Sequence, residues 1–197
     1  MIVLIGGEKG GTGKTTIAVN LACIAAADGA DLVVVDTDVQ RSAAKFFGVR
    51  TEEGIEPYVT CIEKGGRSLG KDLLSLAKKY DLVIVDAGGQ DSQEFRLALL
   101  VADEAYTPVQ PNQFDLWTLG KMSSLVDEAH LSNTKLQVNT LLNRCSSNPR
   151  NTDAQEAREL LKTYEFIPPL KTEIKERVAY PRVVRAGRCV TEYGGKD

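Results

Sequence analysis

Residues 8–16 read E-K-G-G-T-G-K-T-T, and no other stretch of the chain is so clearly composed for chemistry. Gly10, Gly11 and Gly13 let the backbone curl, so the N–H groups of Gly11, Thr12, Gly13, Lys14 and Thr15 can converge in one concavity. At the positive end of a helix, such a concavity suits phosphates. Lys14 can reach β- and γ-phosphates, the Thr15 hydroxyl can ligate Mg²⁺, and Gly10 and Thr16 complete the nucleotide-contacting loop. The match to G-x-x-x-x-G-K-T is incomplete: Glu8 holds the first glycine position, and Lys9 stands five residues before Lys14. A lysine at the start of the loop is badly placed to fold back on its own phosphates. It could reach a nucleotide held by a facing subunit, so the loop reads as built for a dimer. The bland alternative, a glycine-rich turn with two solvated lysines, is weakened by the apolar runs on either side.

Two aspartates stand where such a loop would use them. L-V-V-V-D ends at Asp36 and L-V-I-V-D ends at Asp86. Carboxylates at strand ends beside a phosphate loop can hold Mg²⁺ directly or through water. Either aspartate alone would serve equally as a turn cap; both together after a phosphate loop point to the metal.

The elements that must position these groups follow from periodicity. Short β-branched runs at 2–5, 31–36, 81–86, 105–109 and 136–142 read as strands. Between them, 15–27, 68–79, 93–101, 116–130 and 152–163 read as helices. The two aspartate-ending runs are apolar at both parities, so both faces must be covered, as in a parallel sheet between helix layers. The expected fold is α/β: a single domain over 1–197, doubly wound, with a mainly parallel sheet and helices on both faces. Ligands then sit at the carboxyl ends of the strands.

The K-G-G-x-G-K-T-T run resembles the deviant Walker A motif of the ParA/MinD superfamily of P-loop ATPases. The resemblance implies that Lys9 is the signature lysine contacting the partner subunit's ATP, and the missing first glycine leans toward the ParA branch. D-T-D-V-Q-R-S resembles the family's switch I, usually D-x-D-P-Q. Asp36 would then support Mg²⁺ and Asp38 would orient the attacking water, with Val39 in place of proline loosening the loop. D-A-G-G-Q-D falls where the family has D-T-P-P or D-x-A-G; Gly88 and Gly89 suggest a backbone that approaches the γ-phosphate or moves on its loss. By the same resemblance Asn143 meets the adenine edge, although turns favour asparagine anyway. Pro168, with Pro169, would lie in the loop around the base. The string E-R-V-A-Y-P-R-V-V-R-A-G-R-C-V-T-E resembles the C-terminal end of ParA proteins.

Charge is distributed unevenly. The net charge is −3, so the whole molecule carries no nucleic-acid signal. Residues 1–134 hold 12 basic and 19 acidic side chains, whereas 135–197 hold 12 basic and 8 acidic, making the C-terminal third the only basic part. Within it, Arg182, Arg185 and Arg188 recur every three residues and, if this segment is helical, share one side, as a DNA surface or as a solvated face. The four cysteines, Cys23, Cys61, Cys145 and Cys189, form no C-x-x-C, which argues against a zinc or iron–sulfur site and suits buried thiols of a reducing cytosol. His130 reads as a helix-end residue, and Trp117 with Leu116, Leu119, Met122 and Leu125 as a packed helix face. No leader and no run of about 20 apolar residues is visible, so no membrane partner is expected.

The resemblance therefore implies a small-type ParA-like enzyme without the long N-terminal DNA-binding extension or a MinD-like amphipathic tail. It would hydrolyse ATP with Mg²⁺, slowly and under partner stimulation. ATP would stack it as a homodimer that binds non-specific DNA, and a ParB-like centromere-binding adaptor would release it. Such a protein would be cytoplasmic and nucleoid-associated, and its cargo a plasmid. The rivals are a metabolic ligase resembling dethiobiotin synthetase and a MinD-like positioning ATPase.

Overall fold

A run such as L-V-V-V has no polar parity, so it can be a strand only where both of its faces are covered. The computed structural model, which describes residues 1–89, 91–112 and 117–194, places it so. Strand β2 (Leu32–Asp36) and β1 (Ile2–Gly7) are buried along their whole length. They lie within a seven-stranded sheet ordered β3-β2-β4-β1-β5-β6-β7. The other strands are β3 (Thr60–Glu63), β4 (Leu82–Gly89), β5 (Glu104–Val109), β6 (Gln137–Cys145) and β7 (Pro169–Lys175). Every pairing is parallel, so the sheet is parallel throughout rather than mainly.

Side chains alternate between two cores, one on each face of the sheet. Val3 and Ile5 of β1 pack with Ala18, Val19 and Ala22 of α1 (Lys14–Ala27) and Phe46 and Phe47 of α2 (Ser42–Glu52). Ile2 and Leu4 point the other way, into a core shared with four helices. These are α3 (Leu69–Leu76), α4 (Gln93–Leu99), α5 (Leu119–His130) and α6 (Asp153–Leu161), which contribute Leu73, Phe95, Met122 and Leu161 among others. A last short helix, α7 (Ala179–Val184), precedes a 3₁₀ turn at Val190–Glu192. All four cysteines are free, three of them buried, and burial pushes the Cys23 thiol up to about 12. Among the described residues no helix is long and apolar enough to cross a membrane.

Four elements escape the periodicity reading. β3 is four residues long and lies at one sheet edge with no residue fully buried. β7 lies at the other edge and starts on Pro169, which has no N–H to give the ladder and suits the first residue of an edge strand. α2 and α7 were not expected either. Trp117 is a correction. It precedes α5 instead of lying on it and is 68% exposed, while Leu119, Met122 and Leu125 are buried. Leu116 lies outside the described residues. Because the sheet is parallel, β1, β2, β4, β5 and β6 all end on the same side of it, and the chain passes from one half of the sheet to the other between β4 and β5, across β1.

Candidate nucleotide site

The turn between β1 and α1 is shaped by its glycines. Gly11 has φ +78° and Gly13 φ +97°, the left-handed region that side chains resist. A Cβ on Gly13 would also stand 2.3 Å from the Asn143 amide nitrogen. Neighbouring strands pin the loop: Asn143 Nδ2 at the end of β6 donates to the Thr12 carbonyl at 2.7 Å, and Gln110 Nε2 after β5 donates to that of Gly11 at 3.1 Å. Lys14 is buried, and its Nζ donates to the Lys9 carbonyl at 2.7 Å, closing the mouth of the loop on itself. No side chain caps α1, so its first N–H groups are left for an anion.

Asp86 lies beside this loop within β4, which runs on to Gly89 instead of ending at the aspartate. It is 0% exposed, and neither carboxylate oxygen has a hydrogen-bond partner. Burial pushes its pKa up to about 7; Asp36 and Asp38 add to the rise, while the Thr15 hydroxyl and Lys14 oppose it. Thr15 is close enough to favour the carboxylate, but not in hydrogen-bonding geometry. A buried carboxylate with both oxygens orphaned is costly in isolation, and a divalent cation would satisfy it. Asp86 and Thr15 therefore fit Mg²⁺. Asp36 is different: Oδ1 accepts the Asp38 N–H at 3.0 Å and Oδ2 the Ala44 N–H at 2.9 Å. Burial raises its pKa while those N–H groups restrain it. Its oxygens hold the loop before α2, which is the capping role, and each keeps a second lone pair, whereas both Asp86 oxygens lack any hydrogen-bond partner. Among the described residues no three His, Cys, Asp or Glu side chains converge on a metal position.

Asp38 sits in the next loop, where its Oδ1 accepts the Gln40 N–H at 2.9 Å. Its carboxylate lies against the end of β4, so a Cβ on Gly88 would come 3.1 Å from Oδ2. A Cβ on Gly89 would come 2.8 Å from the Gly10 backbone. These glycines therefore let β4 pass Asp38 and the phosphate loop, a steric reason that the expected approach to a γ-phosphate did not supply. Val39 is 91% exposed on this loop.

A cavity of about 770 Å³ opens beside the loop, lined among others by Gly13, Thr16, Asn143, Arg177, Tyr180 and Pro181. Asn143 borders it, and its amide donates to the Thr12 carbonyl, which secures the turn. Pro168 is a correction. Its carbonyl accepts the Thr140 N–H at 2.8 Å where β7 begins, three residues short of Asn143 and so about 10 Å back along the strand. The wall beside the loop comes instead from residues 174–178, at the end of β7 and just beyond it. The three arginines do not share one helical side. Arg182 lies on α7 and bonds the Tyr193 hydroxyl at 3.0 Å, and Arg185 lines the cavity. Arg188 follows Gly187, whose φ of +62° turns the chain away, and all three are exposed. Reading the sequence missed Gln110, as well as a bond from Lys121 of α5 to Glu8 that fills the place of the first loop glycine. Neither leaves a motif.

A family model described as the CobQ/CobB/MinD/ParA nucleotide binding domain matches residues 3–188. The chain is 30% identical over 213 positions to the maintenance of carboxysome distribution protein A of Gloeobacter kilaueensis, covering 100% of this chain and 86% of that protein. Apo McdA from Cyanothece superposes with a TM-score of 0.80 at 17% identity, over 97% of this chain and 92% of that one. A putative plasmid partition protein from Borrelia burgdorferi, bound to AMPPNP, gives 0.74 at 20% identity, over 94% and 88%. The loop at the end of β1, the parallel order of the sheet and a family match over nearly the whole chain agree: the protein belongs to the CobQ/CobB/MinD/ParA nucleotide-binding family, as a ParA/MinD-like ATPase.

Proposed function

We propose that the protein is a positioning ATPase that cycles between a monomer and an ATP-bound dimer, hydrolysing ATP to ADP and phosphate when an adaptor engages it. The observation that carries this reading is the meeting of three elements at one point: the phosphate loop at Gly10, β4 at Gly89, and Asp38 against Gly88. The loop N–H groups and Lys14 bind the β- and γ-phosphates, with Lys14 leaving the Lys9 carbonyl to do so. Asp38 accepts a hydrogen bond from the attacking water and aligns it, which suits a reaction where positioning supplies most of the rate. Mg²⁺ held by Thr15 and Asp86 would offset charge on the β- and γ-phosphates. Lys9 reaches the nucleotide of the facing subunit, and Asn143 meets the base. The dimer binds DNA without sequence preference through the C-terminal third and is released by a ParB-like adaptor. Plasmid DNA remains the cargo proposed; the Borrelia protein's description supports it, and that of the Gloeobacter protein supports a carboxysome as the second reading.

The two lysines separate this reading from its rivals. Lys14→Ala should abolish nucleotide binding. Lys9→Ala should bind nucleotide as a monomer yet form no dimer with a non-hydrolysable ATP analogue, as read by light scattering after gel filtration. Normal dimerisation of Lys9→Ala would remove the reach across the interface. A ligase would instead form ADP in proportion to a small carboxylic acid and need no dimer.

A further inference from the structure

One buried cation ties the C-terminal turn to the rest of the molecule. Arg50, near the end of α2, is 1% exposed. Its Nε donates to the Pro57 carbonyl at 3.3 Å, Nη1 to the Gly187 carbonyl at 3.0 Å and Glu192 Oε2 at 2.9 Å. Nη2 donates to the Glu56 carbonyl at 3.0 Å and Glu192 Oε1 at 2.8 Å. All five guanidinium N–H groups are thereby used, two of them in a fork on one carboxylate. Glu192 Oε2 accepts the Cys189 N–H as well, at 2.9 Å. Gly187 touches the same point, since a Cβ there would come 2.6 Å from the Arg50 nitrogen. Asn20 of α1 adds a second tie, accepting the Val190 N–H at 2.8 Å while donating to the Thr16 carbonyl at 2.7 Å.

What these ties hold is one wall of the cavity. Gly187 closes α7, with the Arg188 N–H on the Val183 carbonyl at 3.1 Å and its own N–H on that of Val184 at 3.2 Å. Tyr180, Pro181, Val184 and Arg185, from α7 and its end, line the cavity opposite Gly13 and Thr16. The phosphate loop is secured separately, by Gln110 and Asn143. The cavity thus has a phosphate wall and a C-terminal wall, each with anchors of its own and joined through Asn20.

We propose that Arg50 and Glu192 are positioning residues that hold the C-terminal wall against the phosphate-loop helix, so that the cavity grips the nucleoside part of a nucleotide. The inference rests on reading the cavity as a nucleotide site. Inorganic pyrophosphate needs only the loop, whereas ADP needs both walls. Calorimetric titration of wild type, Glu192→Gln and Arg50→Lys with each ligand and magnesium separates the two. Both variants should lose about tenfold or more in ADP affinity, in line with the cost of breaking a buried pair, while pyrophosphate affinity stays within about twofold. Equal loss of both ligands would mean general destabilisation, and unchanged ADP affinity would mean no role; either overturns the proposal. Hydrogen exchange in the wild type decides independently of how the variants fold. The Cys189 and Val190 amides should slow on adding ADP and not on adding pyrophosphate, and equal slowing overturns the proposal. Wild type that binds neither ligand overturns the nucleotide reading itself; wild type that binds both, with flat variants, overturns only the role of Arg50 and Glu192.

Discussion

Asp86 shows how a single residue can be costly to the fold and suited to a ligand. Its folded pKa of about 7 lies above the ordinary 3.8 because burial disfavours the charge. Without nucleotide or magnesium, the unfolded chain ionises as pH rises past 3.8 while the folded chain keeps its proton until about 7. Ionisation therefore favours the unfolded state across that window, and the penalty levels off above it. Asp86→Asn removes the titration, so its Tm relative to wild type should climb from pH 4 to pH 7 and then stay flat. Each kcal/mol is worth about 2–4 °C in a chain of this size. Parallel Tm curves for the two proteins would refute the assignment. Asp38 makes the complementary case, because its carboxylate lies in the loop rather than in the core. Asp38→Ala should bind nucleotide and magnesium normally but hydrolyse at least about a hundredfold more slowly, so the ATP-bound dimer accumulates. Wild-type turnover in that variant, basal and stimulated, would remove Asp38 from the reaction.

Among the elements, the phosphate loop and the end of β4 are most tightly interlocked. A methyl group on Gly89 would stand 2.8 Å from the Gly10 nitrogen and Cα, both backbone atoms that cannot rotate away. Gly89→Ala should therefore push the phosphate loop off β4, costing about 1–3 kcal/mol of stability and most nucleotide affinity. Gly120→Ala, where a Cβ meets nothing, is the control. Equal affinity in the two variants would show that the loop tolerates the shift. Such interlocking also marks the limit of what the sequence reveals. β2 and β4 were legible because residues apolar at both parities leave only a covered strand, and the loop because glycine and lysine at that spacing suit little else. β3 and β7 were not, since an edge strand lacks the second covered face that makes the signal, and Lys171, Glu173 and Lys175 make β7 look like a loop. Asp36 and Asp86 looked alike at two strand ends. Only the fold shows that one is occupied by backbone N–H groups and the other is not. Contacts such as Gln110 on Gly11 and Arg50 on Glu192 join residues 99 and 142 positions apart, and no local pattern encodes them.

At the scale of the whole molecule, the question is how an acidic protein would hold DNA. With a net charge of −3, any such surface must come from its basic C-terminal third. The structure divides the three arginines: Arg185 lines the cavity beside the phosphate loop, Arg182 meets Tyr193, and Arg188 lies past the turn at Gly187. One subunit then offers few phosphate contacts, and a monomer should bind duplex DNA too weakly to register. Stacking two subunits doubles the contacts, and each adds about 0.9 to the slope of log affinity against log salt. Binding should therefore require ATP, ignore sequence and fall steeply with salt, as measured by fluorescence anisotropy of random duplexes with ATP and with ADP. The position of Arg185 sharpens the test. Arg188→Ala should weaken DNA binding and lower the salt slope by about 2, one contact from each subunit of the dimer, while leaving nucleotide affinity unchanged. Arg185→Ala should weaken both if the cavity that Arg185 lines holds the nucleotide, as proposed. If DNA affinity is the same with ATP and ADP, or if Arg188→Ala binds DNA as wild type does, the basic third is a solvated face and the dimer must find its track elsewhere.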